Sequence, residues 1–321
     1  MSSRRIRTSL KNAHDLGDQS TGQQWCVYTG KFHDPSEMTD DHILSLSMGG
    51  LDAFTIRCSK AGNSDVNRTL DEKFARQPFV ANLRRALRFE SHRRNRGLVR
   101  FATKIGDAKA FLNMSAEEIQ LESFRSSAPN AINFRQAASG KSFRTEFNFD
   151  TDLILRYGCR LALGTGYFLF GDVFRDYGYH DELRALMNSA TATRDAEFKI
   201  ANYKPVDFWA LNWPHSYQLG KPLFPALCTQ RDRHLFFTQH GAAETVLGIS
   251  LFDGLFLWYF NIAKDPQKFP ASGDFDLGSA TEITFRPHEF KRWDFRSYLL
   301  RFQNTRQRSS EEKNSGSTKP A

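Results

Sequence analysis

Cysteine is scarce in this chain. Its four cysteines, Cys26, Cys58, Cys159 and Cys228, lie far apart with no repeated spacing. That excludes a disulfide framework and fits a reducing cytoplasm. No long hydrophobic run is present either. The most apolar stretch, residues 153–174, is interrupted by Arg156, Arg160 and Asp172, so it is too short and too charged to span a bilayer. The basic start, Met1 to Leu10, has no apolar segment behind it, and we expect no signal peptide. A P-loop, a Rossmann glycine pattern and a nucleophile elbow are all missing, and Gly164-Thr165-Gly166 is too short for a phosphate loop. Acidic residues are outnumbered. Lys plus Arg total 44 against 36 Asp plus Glu, a net charge of +8, which biases the chain toward polyanionic partners.

What is plentiful is aromatic surface. The 29 phenylalanines among 321 residues imply substantial cores, and the length favours two domains over one. No internal repeat is visible.

One stretch organises the rest, from Cys26 to Phe74. Thr39-Asp40-Asp41-His42-Ile43-Leu44 reads as a short strand carrying an Asp-His pair. Gly49-Gly50 follows, then a second strand-like run, Phe54-Thr55-Ile56-Arg57-Cys58, then Asn63 and Asn67 at the start of a helical pattern. In this order the residues resemble the HNH, or ββα-metal, nuclease finger: two antiparallel strands and a helix clamped around one divalent ion. The resemblance covers about the first quarter of the chain.

The resemblance implies a treble-clef-like finger that hydrolyses phosphodiester bonds and leaves a 5′-phosphate. By it, His42 is the general base, Asp41 a metal ligand, Asn63 the ligand on the helix and Asn67 a second candidate. One Mg²⁺ or Mn²⁺ is the implied cofactor. The chemistry suits the types: an imidazole titrates near neutrality, and carboxylate and amide oxygens suit a hard cation. Three departures stand out. Asn63 lies one residue beyond strict register, and Asp52 is the nearest, poor match for the family's middle Asn. Where relatives hold structural zinc between two C-x2-C knuckles, Cys26 and Cys58 have partner positions Thr29 and Ala61, which supply no thiolates, so a four-Cys zinc site is not available. Adjacent strand residues face opposite ways, so Asp41 and His42 share one ion only if the strand twists or bulges.

Taken in order, residues 1–24 form a polar, basic arm and residues 25–125 the finger with a basic helical extension. A helix is expected from Asn63 to about Arg76 on the stripe Val66, Leu70, Phe74, broken by Pro78, then a second from Phe79 to about His92. Lys73, Arg76, Arg84, Arg85, Arg88, Arg93, Arg94 and Arg96 belong to the densest basic segment, a candidate phosphate platform. A strand is expected over 98–105, and a helix start at Ser115 with Glu118 in the capping-box position. Residues 126–142 read as a linker. A C-terminal α+β domain then spans 143–304, with a long helix from 153 to about 174, in which Gly158, Gly164 and Gly166 allow either close packing of a neighbouring element or a break near Gly164, and a further helix over 177–187. Strands are expected over 234–239, 244–252 and 255–263, the last two joined by Asp253-Gly254. Pro266 and Pro270 end that sheet. Residues 285–304 interleave basic and aromatic residues and read as an amphipathic terminal helix in preference to a base-stacking surface. The tail after 304 is polar. His33, His180, His215, His234, His240 and His288 show no ligand-like spacing.

The expectation is therefore an α+β protein: an N-terminal ββα finger followed by a mixed domain with a hairpin-based antiparallel sheet. It would be a metal-dependent endonuclease acting on double-stranded DNA, in the cytoplasm and off the membrane. The alternative is an inactive nucleic-acid-binding protein that keeps the finger as a scaffold.

Overall fold

In the first described segment the chain makes two antiparallel hairpins between Gln24 and Ser59. β1 (Gln24–Cys26) pairs antiparallel with β2 (Lys31–His33), and β3 (Met38–His42) pairs antiparallel with β4 (Thr55–Ser59). The computed structural model describes residues 22–87, 89, 99–105, 108–114, 119–123, 150–192, 232–252, 254–269 and 277–302. Residues 1–21 of the arm, the linker and the tail lie outside them.

Helix α1 starts at Lys60, three residues ahead of the expected Asn63, because Ser59 caps it by accepting from Gly62 N. It runs Lys60–Val66, continues through a π-helical stretch Asn67–Asp71 and ends as Glu72–Ala75. Its buried stripe is Val66, Leu70 and Phe74, as the periodicity implies. α2 (Pro78–Ala86) places Pro78 in its first turn, where no backbone N–H is needed.

β5 (Val99–Ile105), β6 (Ala108–Met114) and β7 (Ile119–Ser123) form a three-stranded antiparallel sheet. The helix expected after Ser115 is therefore a strand by Ile119. Alternating Ile119, Leu121 and Ser123 carry a period of two, which outweighs a local capping signal.

α3 (Thr151–Phe170) is capped by Asp150, which accepts from Leu153 N. It does not break near Gly164; it ends at Gly171, whose φ of 53° favours a residue without Cβ. α4 (Asp172–Tyr177) and α5 (His180–Asn188) follow. Gly158 and Gly164 serve instead as close-approach points. A Cβ on Gly158 would stand 2.5 Å from Trp258 Nε1, and one on Gly164 would stand 3.2 Å from the Ile43 side chain.

The sheet does not stop at Pro270. β8 (Arg233–His240), β9 (Thr245–Leu251) and β10 (Phe256–Asn261) are joined by β11 (Ser279–Phe285) and β12 (His288–Asp294) in the antiparallel order β10-β9-β8-β11-β12. Residues 285–294 are thus mainly strand, and only 295–302 form the expected helix, α6. Both sheet faces are covered, which explains the unbroken apolar runs. Phe236, Ile249 and Trp258 join a core shared with α3 and the N-terminal hairpin and helix, including Ile43, Phe54 and Phe74. Leu235, Phe237 and Leu257 pack on the far side against Phe295, Tyr298 and Phe302 of α6. Among the described residues no helix is long and apolar enough to cross a membrane.

Candidate functional site

Strand alternation decides the site. Asp41 faces the interior opposite buried Ile56, while His42 faces outward opposite Thr55. Asp41 and His42 are consequently not brought together.

His42 Nε2 lies 2.8 Å from Asp52 Oδ1, with the His side chain 28% exposed and Asp52 92% exposed. An ionised carboxylate only accepts, so Nε2 carries the proton and Nδ1 is the nitrogen left to accept one. Asp52, a poor sequence match to any family position, is thus the residue that orients the imidazole. Two positions back, Asp40 stands 3.7 Å from Arg57 on the same outer face. The outer hairpin face therefore carries an imidazole, two carboxylates and one guanidinium.

Asp41 is 5% exposed. Its Oδ2 accepts from Tyr28 Oη at 2.7 Å and from Arg160 Nη2 at 2.9 Å. The same Nη2 donates to Asp71 Oδ2 at 3.1 Å and to the His42 carbonyl at 2.8 Å. Arg160 comes from the middle of α3 and is fully buried. Burial alone would lower its pKa, but Asp71, Tyr28 and Asp41 outweigh that and raise it well above the usual value. Burial pushes Asp71 up to about 7, against the pull of Arg160 and with the repulsion of Asp41 added. Burial likewise raises the Tyr28 phenol.

Asn63 Oδ1 accepts from Asn67 Nδ2 at 3.4 Å, one helical turn on. No hydrogen bond or ion pair among the described residues joins Asn63 to Asp41 or His42. The divalent ion implied by the resemblance does not fit Asp41 and Asn63 as they stand, because the carboxylate is held by a guanidinium and a phenol inside the core. Among the described residues no group of three or more His, Cys, Asp or Glu is placed to hold a metal ion.

The knuckle remnant is packed. Cys26 and Cys58 are free, buried thiols, and Ser59 Oγ donates to Cys26 Sγ at 3.4 Å. A Cβ on Gly62 would stand 3.2 Å from the Thr29 methyl and 3.4 Å from Cys26 Sγ. Small groups thus pack around Cys26, and burial raises the Cys58 pKa far above the thiol range.

Of the basic segment, Lys73 and Arg76 are exposed, and Arg76 pairs with Glu72 at 3.2 Å. Arg84 turns inward instead, donating to the carbonyls of Ser47 and Ala75. The side chain of Arg85 and the residues Arg88, Arg93, Arg94 and Arg96 lie outside the described residues. Arg160, Asp71 and Tyr28 were not singled out as site residues. The one signal was an arginine inside the most apolar stretch of the chain, and by itself that argues only against a membrane span. No family model, no curated protein and no solved structure matches this chain.

Proposed function

We propose that this chain cleaves phosphodiester bonds of nucleic acid at the outer face of the β3–β4 hairpin, with His42 Nδ1 taking the proton of the attacking oxygen. The observation that carries this reading is the solvent-facing His42 imidazole, held by Asp52 at 2.8 Å on a ββα finger. A base fixed in one tautomer and open to substrate is what proton abstraction requires. Arg57 lies diagonally across the hairpin from His42, within the reach of a long side chain, and is the cation on that outer face that would hold a phosphate. The charge of +8 supports a nucleic-acid partner, and double-stranded DNA is the first substrate to test.

A second reading, a finger that binds nucleic acid without cutting it, is favoured by one observation: the Asp41 carboxylate is sequestered by Arg160. One experiment separates the two. Plasmid and single-stranded DNA and RNA are incubated with the full chain in Mg²⁺, Mn²⁺ or chelator, beside His42→Ala and Asp52→Asn. For the nuclease, His42→Ala lowers cutting about 100-fold or more, the range for loss of a general base, and Asp52→Asn gives a smaller loss. Retarded but intact nucleic acid from both wild type and His42→Ala supports the binder. Neither cutting nor retardation ends both readings.

A further inference from the structure

The contacts of Arg160 are lopsided. Three acceptors crowd one nitrogen: the His42 carbonyl at 2.8 Å, Asp41 Oδ2 at 2.9 Å and Asp71 Oδ2 at 3.1 Å all face Nη2. That nitrogen has only two hydrogens to share among them. Meanwhile Nε and Nη1 are buried without a partner. A pocket shaped for guanidinium would use its fork, two parallel bonds to one carboxylate. This one gathers oxygens around a point, as a coordination shell does. Two of the three oxygens come from β3 and the third from α1, the strand and helix between which a ββα finger is expected to hold its ion.

We propose that Arg160 is the built-in cation of this finger: its Nη2 stands where a divalent ion would otherwise be coordinated, within an oxygen cage formed by Asp41, Asp71 and the His42 carbonyl. The inference rests on reading β3, β4 and α1 as such a finger. Mg²⁺–oxygen distances are about 2.0–2.1 Å, so an ion in place of Nη2 requires each oxygen to close in by about 1 Å. Side-chain rotation supplies that for the two carboxylates. Arg160 itself cannot leave easily, since it sits fully buried in mid-helix. Its bond to the His42 carbonyl also fixes the backbone from which the imidazole projects, which makes it a positioning residue for His42.

The test uses Mn²⁺ alone, a hard ion that takes oxygen ligands as Mg²⁺ does, and no nucleic acid, so its result is independent of whether His42 cuts. Free Mn²⁺ is followed by its electron paramagnetic resonance signal as protein is added. Wild type and Arg160→Lys, which both keep a cation in the cage, should leave the signal unchanged. Arg160→Gln should bind one equivalent with affinity raised at least 100-fold over wild type, and Arg160→Gln/Asp41→Asn should lose it. Should Arg160→Gln not fold alone, it should fold when Mn²⁺ is supplied. The proposal is overturned if wild type binds one Mn²⁺ that Asp41→Asn removes. It is equally overturned if Arg160→Gln folds without gaining a site, or stays unfolded with Mn²⁺ present.

Discussion

Replacing Arg160 by methionine isolates what its charge contributes to stability. The side chain is of comparable length and apolar, so it fills much of the space and removes the guanidinium. Asp41 and Asp71, each 5% exposed, then face each other with only the Tyr28 hydroxyl left as donor to Asp41. Breaking a buried pair by removing one partner costs about 3–5 kcal/mol, because the remaining charge is uncompensated. With a urea m value of about 3 kcal/mol/M, the midpoint falls by about 1–1.7 M. The deficit depends on pH. Asp71 has a pKa of about 7 in the folded protein even with Arg160 beside it. Without the guanidinium that value rises further, so at pH 5 Asp71 is protonated in both proteins and its share of the penalty vanishes, while above pH 7 the penalty grows until the pH passes the variant's own higher value. Adding Asp71→Leu to Arg160→Met should recover more than about 1 kcal/mol, since an apolar replacement of a buried ionic group is often neutral or better. Urea melts followed by far-UV circular dichroism at pH 5 and pH 8 measure all of this. An Arg160→Met loss below about 1 kcal/mol at pH 8 would refute the reasoning, because the cage would then have to be hydrated.

Three further outcomes follow from the packing. His234 is fully buried, donates through Nε2 to the Met48 carbonyl and accepts from Phe252 N through Nδ1, and burial lowers its pKa from 6.5 to about 3. A depressed folded pKa contributes stability that is present above the unfolded value and lost as pH falls through the folded one. The stability difference between wild type and His234→Gln should therefore be constant above pH 6.5 and shrink steadily toward pH 3, as read from denaturant midpoints across that range. Gly158→Ala should destabilise by about 1–3 kcal/mol through overpacking, because the added carbon meets Trp258, which is fully buried and stacked on Phe256; Gly241→Ala, whose nearest atom is 3.4 Å away, should leave the melting temperature unchanged. Exhaustive treatment with a zinc chelator should also leave the melting temperature unchanged, because the knuckle is closed by Cys26, Thr29, Ser59 and Gly62; a drop of several degrees would mean that a metal holds it.

Local chemistry made several elements legible. The order of β3, β4 and α1 follows from three successive runs of sequence, and the Asp150 cap of α3 and the turn containing Gly254, whose φ is 83°, follow from residues within a few positions of one another. The misreadings share a cause. β11 and β12 pair through contacts that no short window displays, and Ile119 to Ser123 are strand because β6 lies beside them. At Gly164 close packing and a helix break are open alternatives in the sequence, and the partner that decides between them, Ile43, is distant in the chain. Arg160 meets Asp71 and Asp41 across separations of 89 and 119 residues, so no spacing rule could have linked them. His42 stands out by its motif, whereas Asp52 offers only a poor match to the middle Asn in sequence and becomes the partner of the imidazole when the loop folds back.

The loop that follows the His42 strand is pinned from far downstream. His234 on β8 binds the Met48 carbonyl at 2.8 Å and His288 on β12 binds the Gly49 carbonyl at 2.9 Å. An N-terminal fragment cut before β8 would lose both anchors and the sheet residues Phe236, Ile249 and Trp258 that share a core with Ile43 and Phe54. The small motif is therefore not a portable cassette that could be grafted onto another host or kept by a truncated product. A premature stop upstream of residue 234 would leave the remnant without either clamp, and one between residues 234 and 288 would leave it without the second.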